Sequence, residues 1–127
     1  MLYSLQSSRL IGNRDGAPCA LLKGTNGEKL VAIAGGVSSG IEVWNPADGS
    51  VKTLNDTFPL ADFGTHPQMI AANRNTELIF YESVFNAVTL CGIWKFSQVT
   101  NAWTKIGEML EGRGYFSALP AVGLSCP

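Results

Sequence analysis

Side chains of the types that usually carry out catalysis or hold a metal are few in this chain of 127 residues. It has one histidine, His66, and three cysteines, Cys19, Cys91 and Cys126. No serine or cysteine forms a recognisable nucleophile motif with His66. The uneven cysteine spacing, with no Cys-x-x-Cys pair, excludes a zinc ligand set and leaves at least one thiol without an internal disulfide partner. We interpret the cysteines as buried thiols in preference to a disulfide, and the sequence predicts no catalytic residue, no metal and no cofactor.

The adjacent glycines Gly35 and Gly36 are the feature most like a phosphate-binding loop. Neither a Gly-x-Gly-x-x-Gly pattern nor a Lys-Ser/Thr pair follows them. They therefore indicate a close approach between backbone segments rather than a nucleotide site.

Overall charge favours neither nucleic acid nor an anionic membrane as a partner, because 9 basic residues stand against 10 acidic ones, for a net charge of -1. No window approaches eighteen consecutive apolar residues, and no signal peptide is visible. An N-glycosylation sequon at Asn55, Asp56 and Thr57 lies in a predicted loop. The compartment, cytoplasmic or secreted, therefore stays open.

Short apolar runs lie between the glycines and prolines of the chain. They are the predicted structural elements that would hold the side chains of any functional site in place. They are rich in β-branched and aromatic residues, and each has the length of a strand rather than of a helix. The runs are 30–34, 41–44, 78–81 and 93–96. Together they predict an all-β chain.

Two of these runs belong to stretches that align without a gap at an offset of 52 residues. Trp44 then matches Phe96, and Val51 matches Trp103. Gly49 matches Asn101, and these two residue types best tolerate the left-handed backbone that a hairpin turn requires. Earlier strands align at an offset of 48, with 30–33 over 78–81, and innermost strands are predicted at 18–23 and 67–73.

A unit of four locally connected strands, repeated every 40 to 50 residues or so, is typical of a β-propeller blade. The paired glycines Gly35 and Gly36, the strand aromatic Trp44, the tryptophan Trp103 and the later Arg113 resemble the kelch repeat. The second unit has Glu82 and Ser83 in place of the glycines, and the first has Val51 in place of the tryptophan.

The resemblance implies a kelch-like β-propeller segment of four-stranded antiparallel blades, incomplete as a closed ring. Residues 1–14 would form an outer strand of a preceding blade and a linker, 15–56 the first blade, 57–108 the second, and 109–127 the inner strand of a following blade. Propellers close with about four to eight blades. We therefore expect a segment of a longer protein or, less favoured, copies that associate to complete a ring.

Longer loops on one face of the blades form the expected contact surface, because antiparallel strands bring alternate connections to the same end. These loops are 37–40, 55–65, 84–90 and 107–114. The predicted contact residues in or next to these loops are Phe63, Phe85, Asn86, Arg113 and Tyr115, a set that combines the aromatic and Arg types enriched at binding hot spots. The resemblance implies a protein partner, since kelch-family propellers are often cytoskeletal or ubiquitin-ligase adaptor domains.

A structural role is the competing interpretation for several of these residues. Arg113 in a kelch-like blade more often bonds to loop carbonyls than to a ligand, and His66 is interpreted as a structural histidine at the start of an inner strand. Trp44, Phe96 and Trp103 are expected to fill the space between blades.

Two alternatives to a non-catalytic interaction module stay open: a fragment of a propeller enzyme, oxidase-like or sugar-processing, and a secreted glycan-binding propeller. Copper-radical oxidases with a related fold need two histidines, and this chain has only His66. The Asp-box of sialidase-type propellers requires one residue between its Asp and Gly, whereas Asp48 and Gly49 are adjacent. An enzyme would therefore need catalytic groups from elsewhere.

Overall fold

A computed structural model describes residues 16–35, 40–55, 67–82 and 92–110, together with Leu10 and Ala118. These ranges contain eight strands and no helix. The strands are β1 (Cys19–Lys23), β2 (Lys29–Ala34), β3 (Ile41–Trp44), β4 (Val51–Asn55), β5 (Gln68–Ala72), β6 (Glu77–Tyr81), β7 (Gly92–Ser97) and β8 (Ala102–Glu108).

The strands form two four-stranded sheets in which neighbours in sequence are neighbours in space, β1-β2-β3-β4 in sheet 1 and β5-β6-β7-β8 in sheet 2. Every pairing is antiparallel. The predicted all-β architecture of four-stranded antiparallel units is thereby confirmed, while the division of the whole chain into four segments stays a prediction. Among the described residues, no helix is long and apolar enough to cross a membrane.

The hairpins β3–β4 and β7–β8 repeat each other with the predicted offset of 52 residues. Trp44 pairs with Val51, and Phe96 pairs with Trp103. A register shift interrupts each hairpin at the matching place, between Ile41 and Glu42 in one and between Ile93 and Trp94 in the other. Such a bulge usually increases the local twist of a strand pair, and the two hairpins have it at equivalent positions.

The predicted offset of 48 between β2 and β6 is wrong by one residue. Val31 pairs with Trp44 and Leu78 pairs with Phe96, so Val31 corresponds to Leu78 at an offset of 47. The error arises because both strands are apolar at consecutive positions, and a continuous apolar run does not reveal which residues face the core.

The core lies between the two sheets, which contribute to one hydrophobic cluster. Sheet 1 supplies Leu22, Leu30, Ala32, Ala34, Ile41 and Val43. Sheet 2 supplies Met69, Leu78, Phe80 and Phe96, with Trp94 and Trp103 packed against them. Phe96 thus belongs to the cluster that the two sheets share, and its ring centroid lies 5.4 Å from that of Trp103.

The other side of sheet 1, which we call the free face, carries Cys19, Leu21, Val31, Trp44 and Val51 according to the strand registers, together with Glu42, which is 1% exposed. Leu21 is 61% exposed and Trp44 is 36% exposed. Cys19 is exposed with a free thiol, so the prediction of a buried thiol is wrong there, because Cys19 points away from the core. Cys91 and Cys126 lie outside the described residues.

Candidate functional site

The five residues predicted to contact a partner, Phe63, Phe85, Asn86, Arg113 and Tyr115, all lie outside the described residues. His66 does so too. Binding through the predicted loops therefore stays a prediction. The candidate site among the described residues lies at the opposite end of the sheets.

That opposite end, which we call the turn end, is formed by the four hairpin turns 24–28, 45–50, 73–76 and 98–101. Gly49 and Asn101 occupy equivalent positions in their turns, with φ of 74° and 50°. The left-handed backbone predicted for this pair is confirmed. These turns are short and hydrogen-bonded within themselves, as in the bond from Gly49 N–H to Asn45 O of 2.7 Å.

The β5–β6 turn contains three consecutive left-handed residues, Asn73, Arg74 and Asn75, with φ of 51°, 55° and 63°. Asparagine tolerates this conformation, but an arginine there costs about 1–2 kcal/mol. Thr76 closes the turn, because its hydroxyl donates to Asn73 O at 2.6 Å. The turn therefore holds the Arg74 backbone in a strained conformation.

Hydrogen bonds between the sheets fix this turn against the end of β1. The backbone N–H of Lys23 donates to Asn75 O at 2.7 Å. The side-chain Nε2 of Gln98 donates to Lys23 O at 2.6 Å and lies 3.4 Å from Thr76 O. Both polar backbone groups of Lys23 are thus bonded to sheet 2, which joins the turns 73–76 and 98–101 to the end of β1.

A groove of about 280 Å³ lies where these elements meet, and we call it the basic groove. Its lining contains three cations and no acidic side chain: Leu21, Leu22, Lys23, Gly27, Lys29, Arg74 and Asn75. Lys23 and Lys29 are direct cross-strand partners, an arrangement in which like charges repel. Within the described ranges, neither these lysines nor Arg74 forms an ion pair.

A larger groove of about 730 Å³ continues from the basic groove along β5. It is lined mainly by the apolar side chains and backbone of 69–72 together with Ala20, Leu21 and Ala118. Leu21, Arg74 and Asn75 line both grooves. The positive charge of Arg74 therefore lies at the junction between a basic recess and an apolar one.

A buried carboxylate, Glu82, lies at the end of β6. Its Oε2 accepts the Gly92 N–H at 2.8 Å, and its Oε1 accepts the Trp94 indole N–H at 2.7 Å. A Cβ on Gly92 would lie 2.8 Å from the carboxyl atoms, so glycine is required for this close approach. Both oxygens are engaged in holding β6 to β7, which indicates a structural role.

Two exposed carboxylates, Asp48 in a turn and Glu108 at the end of β8, have pKa values lowered by hydrogen bonds. The hydroxyl and backbone N–H of Ser50 hold the pKa of Asp48 below its ordinary value. Lys105, whose Nζ lies 2.6 Å from the Glu108 carboxylate, lowers the pKa of that group. No group of three or more His, Cys, Asp or Glu side chains suited to a metal ion occurs in the described ranges.

The residues predicted from the sequence did not include Lys23, Lys29 or Arg74. A usable signal was present, because Lys23 and Lys29 flank a short turn containing Gly24 and Gly27 and must therefore lie opposite each other in a hairpin.

Comparison with known proteins finds no protein-family model and no curated sequence that matches this chain.

Proposed function

We propose that this chain is a non-catalytic protein-interaction module, a segment of a kelch-type β-propeller that binds a protein partner through its loop face. The observation that carries the proposal is the repetition of one hairpin register and one bulge in two sheets that share a core. Stacked four-stranded meanders of this kind are the building units of a propeller.

The packing of the sheets supports the same interpretation. Val31 and Trp44 on the free face of sheet 1 correspond to Leu78 and Phe96 in the core-facing side of sheet 2. The front of one sheet therefore packs against the back of the next, as blades stack around a propeller axis. The kelch assignment itself rests on the resemblance of Gly35, Gly36, Trp103 and Arg113 to that repeat.

A rigid scaffold of this kind favours binding through loops. The inter-sheet hydrogen bonds of Gln98 and Asn75 join the two sheets at one end of the stack, which favours a fixed framework for the predicted binding loops. Rigid scaffolds with long loops commonly serve as recognition surfaces, and Phe63, Arg113 and Tyr115 supply hot-spot residue types there.

Quantitative affinity capture from an extract of the native source tests the proposal. The immobilised chain is compared with Phe63→Ala/Tyr115→Ala, and Val99→Ala at the turn end, 94% exposed, serves as the control. We expect the double variant to capture about one tenth as much partner as the unchanged chain, or less. Its unfolding transition should be unchanged. Equal retention by the double variant would contradict the loop face, and the absence of any saturable protein ligand would contradict the interaction module.

A further inference from the structure

We propose that the basic groove is a second binding site, which takes a carboxylate-rich peptide segment of a protein partner. The inference rests on the proposed function only in taking the partner to be a protein. It assigns a different surface, at the opposite end of the sheets from the loop face, and a definite chemistry.

Local charge is the first argument. The chain as a whole carries a net charge of -1, yet Lys23, Lys29 and Arg74 converge on one groove whose lining contains no carboxylate. Direct pairing of two lysines across a hairpin is unfavourable by itself. Carboxylates bound between them would relieve the repulsion and form charge-assisted hydrogen bonds.

Shape is the second argument, and it favours a peptide over a small anion. The basic groove continues into the apolar groove along β5, with Leu21 and Arg74 shared between the two. Leu21 is a largely exposed apolar side chain beside the cations. A segment that carries acidic residues next to an apolar one would occupy both recesses, whereas a small anion would fill only the basic one.

Preorganisation is the third argument. Arg74 occupies a left-handed position where glycine would remove the strain, and the turn that presents it is fixed to β1 through Lys23 and Gln98. A residue in a strained conformation among those that line a groove is the pattern expected when that residue is needed for binding. Such a fixed turn also lowers the ordering cost of capturing a ligand.

Fluorescence anisotropy of labelled octapeptides tests the proposal on the complete chain. One peptide contains Asp and Glu around a central Leu, a second replaces each acid by Asn or Gln, and a third has Lys at those positions. We expect saturable binding of the acidic peptide alone, weakened about tenfold or more by Lys29→Glu or Arg74→Glu and by raising the salt concentration. The matched control is Lys52→Glu on β4, which applies the same charge change outside the groove.

Arg74→Gly separates binding from folding. Glycine adopts φ near 55° without strain, so this variant should unfold at a higher temperature while binding the acidic peptide more weakly. A higher unfolding temperature with unchanged peptide affinity would overturn the proposal, because Arg74 would then play no part in binding. Equal binding of the acidic and amide peptides would overturn it as well.

Two further measurements fix the kind and place of the ligand. Tighter binding of a single-stranded RNA octamer than of the acidic peptide, or full displacement of the peptide by inorganic phosphate at equal concentration, would overturn the assignment to a peptide. Loss of peptide binding in Phe63→Ala/Tyr115→Ala would place the peptide on the loop face instead. The two proposals can fail separately. If the unchanged chain does not bind the acidic peptide, and Phe63→Ala/Tyr115→Ala still loses partner capture, the basic groove is not a binding site but the proposed function stands.

Discussion

At the scale of single residues, Glu82 lies at the end of β6 in the position that Gly35 has at the end of β2. The expected repeat has a glycine there. Gly35 N–H donates to Gly40 O in sheet 1, and Glu82 N–H donates to Gly92 O at the corresponding point of sheet 2. The side chain of Glu82 then adds two hydrogen bonds to Gly92 and Trp94. The position where the second unit lacks the expected glycine therefore has its own set of contacts.

Replacing Glu82 by Gln tests this role. Both groups that bond to the carboxylate are donors, and a Gln amide offers one oxygen acceptor and one NH₂ donor. One N–H would then face a donor in a buried site, and we expect the free energy of unfolding in urea to fall by about 1–3 kcal/mol. Glu108→Gln provides the exposed control, with a change within about 0.5 kcal/mol. Equal effects of the two substitutions would refute the structural role of Glu82.

Asp48 gives a prediction about pH. Hydrogen bonds from Ser50 lower the folded-state pKa of this carboxyl below its ordinary value of 3.8. The charged form therefore stabilises the fold above pH 3.8, and this contribution is lost as the pH falls through the folded-state pKa. Asp48→Asn keeps an oxygen acceptor for the Ser50 N–H but does not titrate.

Urea unfolding of the unchanged chain and of Asp48→Asn checks this prediction at pH 6 and pH 2.5, on either side of the ordinary Asp pKa of about 4. At pH 6 we expect the unchanged chain to have a higher free energy of unfolding than Asp48→Asn. At pH 2.5 the difference between the two proteins should be smaller. A gap that is independent of pH would show that the charge of Asp48 contributes nothing.

At the scale of elements, the sequence predicted the hairpins better than it predicted the sheets. Gly49 and Asn101 are local signals, and a turn of known geometry fixes the pairing of Trp44 with Val51 without reference to the rest of the chain. The offset between β2 and β6 has no such turn chemistry to fix it. Consecutive apolar residues fit either register, so an error of one residue was unavoidable there.

The basic groove could be predicted only in part for the same reason. The pairing of Lys23 with Lys29 follows from one hairpin, but Arg74 reaches them through the packing of sheet 2 beside β1. Overall charge balance concealed the groove, because a net charge near zero says nothing about where the charges lie.

The joint between the two sheets yields a prediction about Gln98. Gln98→Ala removes the donor to Lys23 O and the contact with Thr76 O, so we expect the free energy of unfolding to fall by about 0.5–1.5 kcal/mol. The neighbouring Val99→Ala is the control, since Val99 is almost fully exposed. Amide exchange of the Lys23 N–H, which donates to Asn75, should also accelerate in Gln98→Ala alone. Unchanged exchange would contradict the coupling between the turns and β1.

At the scale of the whole molecule, equivalent positions in the two sheets have opposite environments. Trp44 and Phe96 match in the repeat, yet Trp44 is 36% exposed on the free face while Phe96 is 0% exposed in the core. Packing the front of one sheet against the back of the next produces this difference. By position, the free face of sheet 1 corresponds to the side of sheet 2 that is buried.

Substituting the two aromatics in turn tests this arrangement. Phe96→Ala should lower the free energy of unfolding by about 3–5 kcal/mol, because it empties a buried ring site beside Trp103 and Leu78. Trp44→Asp should lower it by less than Phe96→Ala does, because Trp44 is 36% exposed and Phe96 is 0% exposed. Front-to-back contacts repeat from copy to copy, and Trp44 lies on the surface that a second copy would cover.

Sedimentation velocity over a range of concentrations measures that second contact. We expect the unchanged chain to associate as its concentration rises and Trp44→Asp to remain at the lowest size, because a desolvated carboxylate opposes burial of the free face. Leu110→Asp, a fully exposed position beyond β8, should associate like the unchanged chain. A loss of stability in Trp44→Asp as large as that in Phe96→Ala would mean that the free face is covered within the chain itself, and that the two sheets do not repeat a single packing mode.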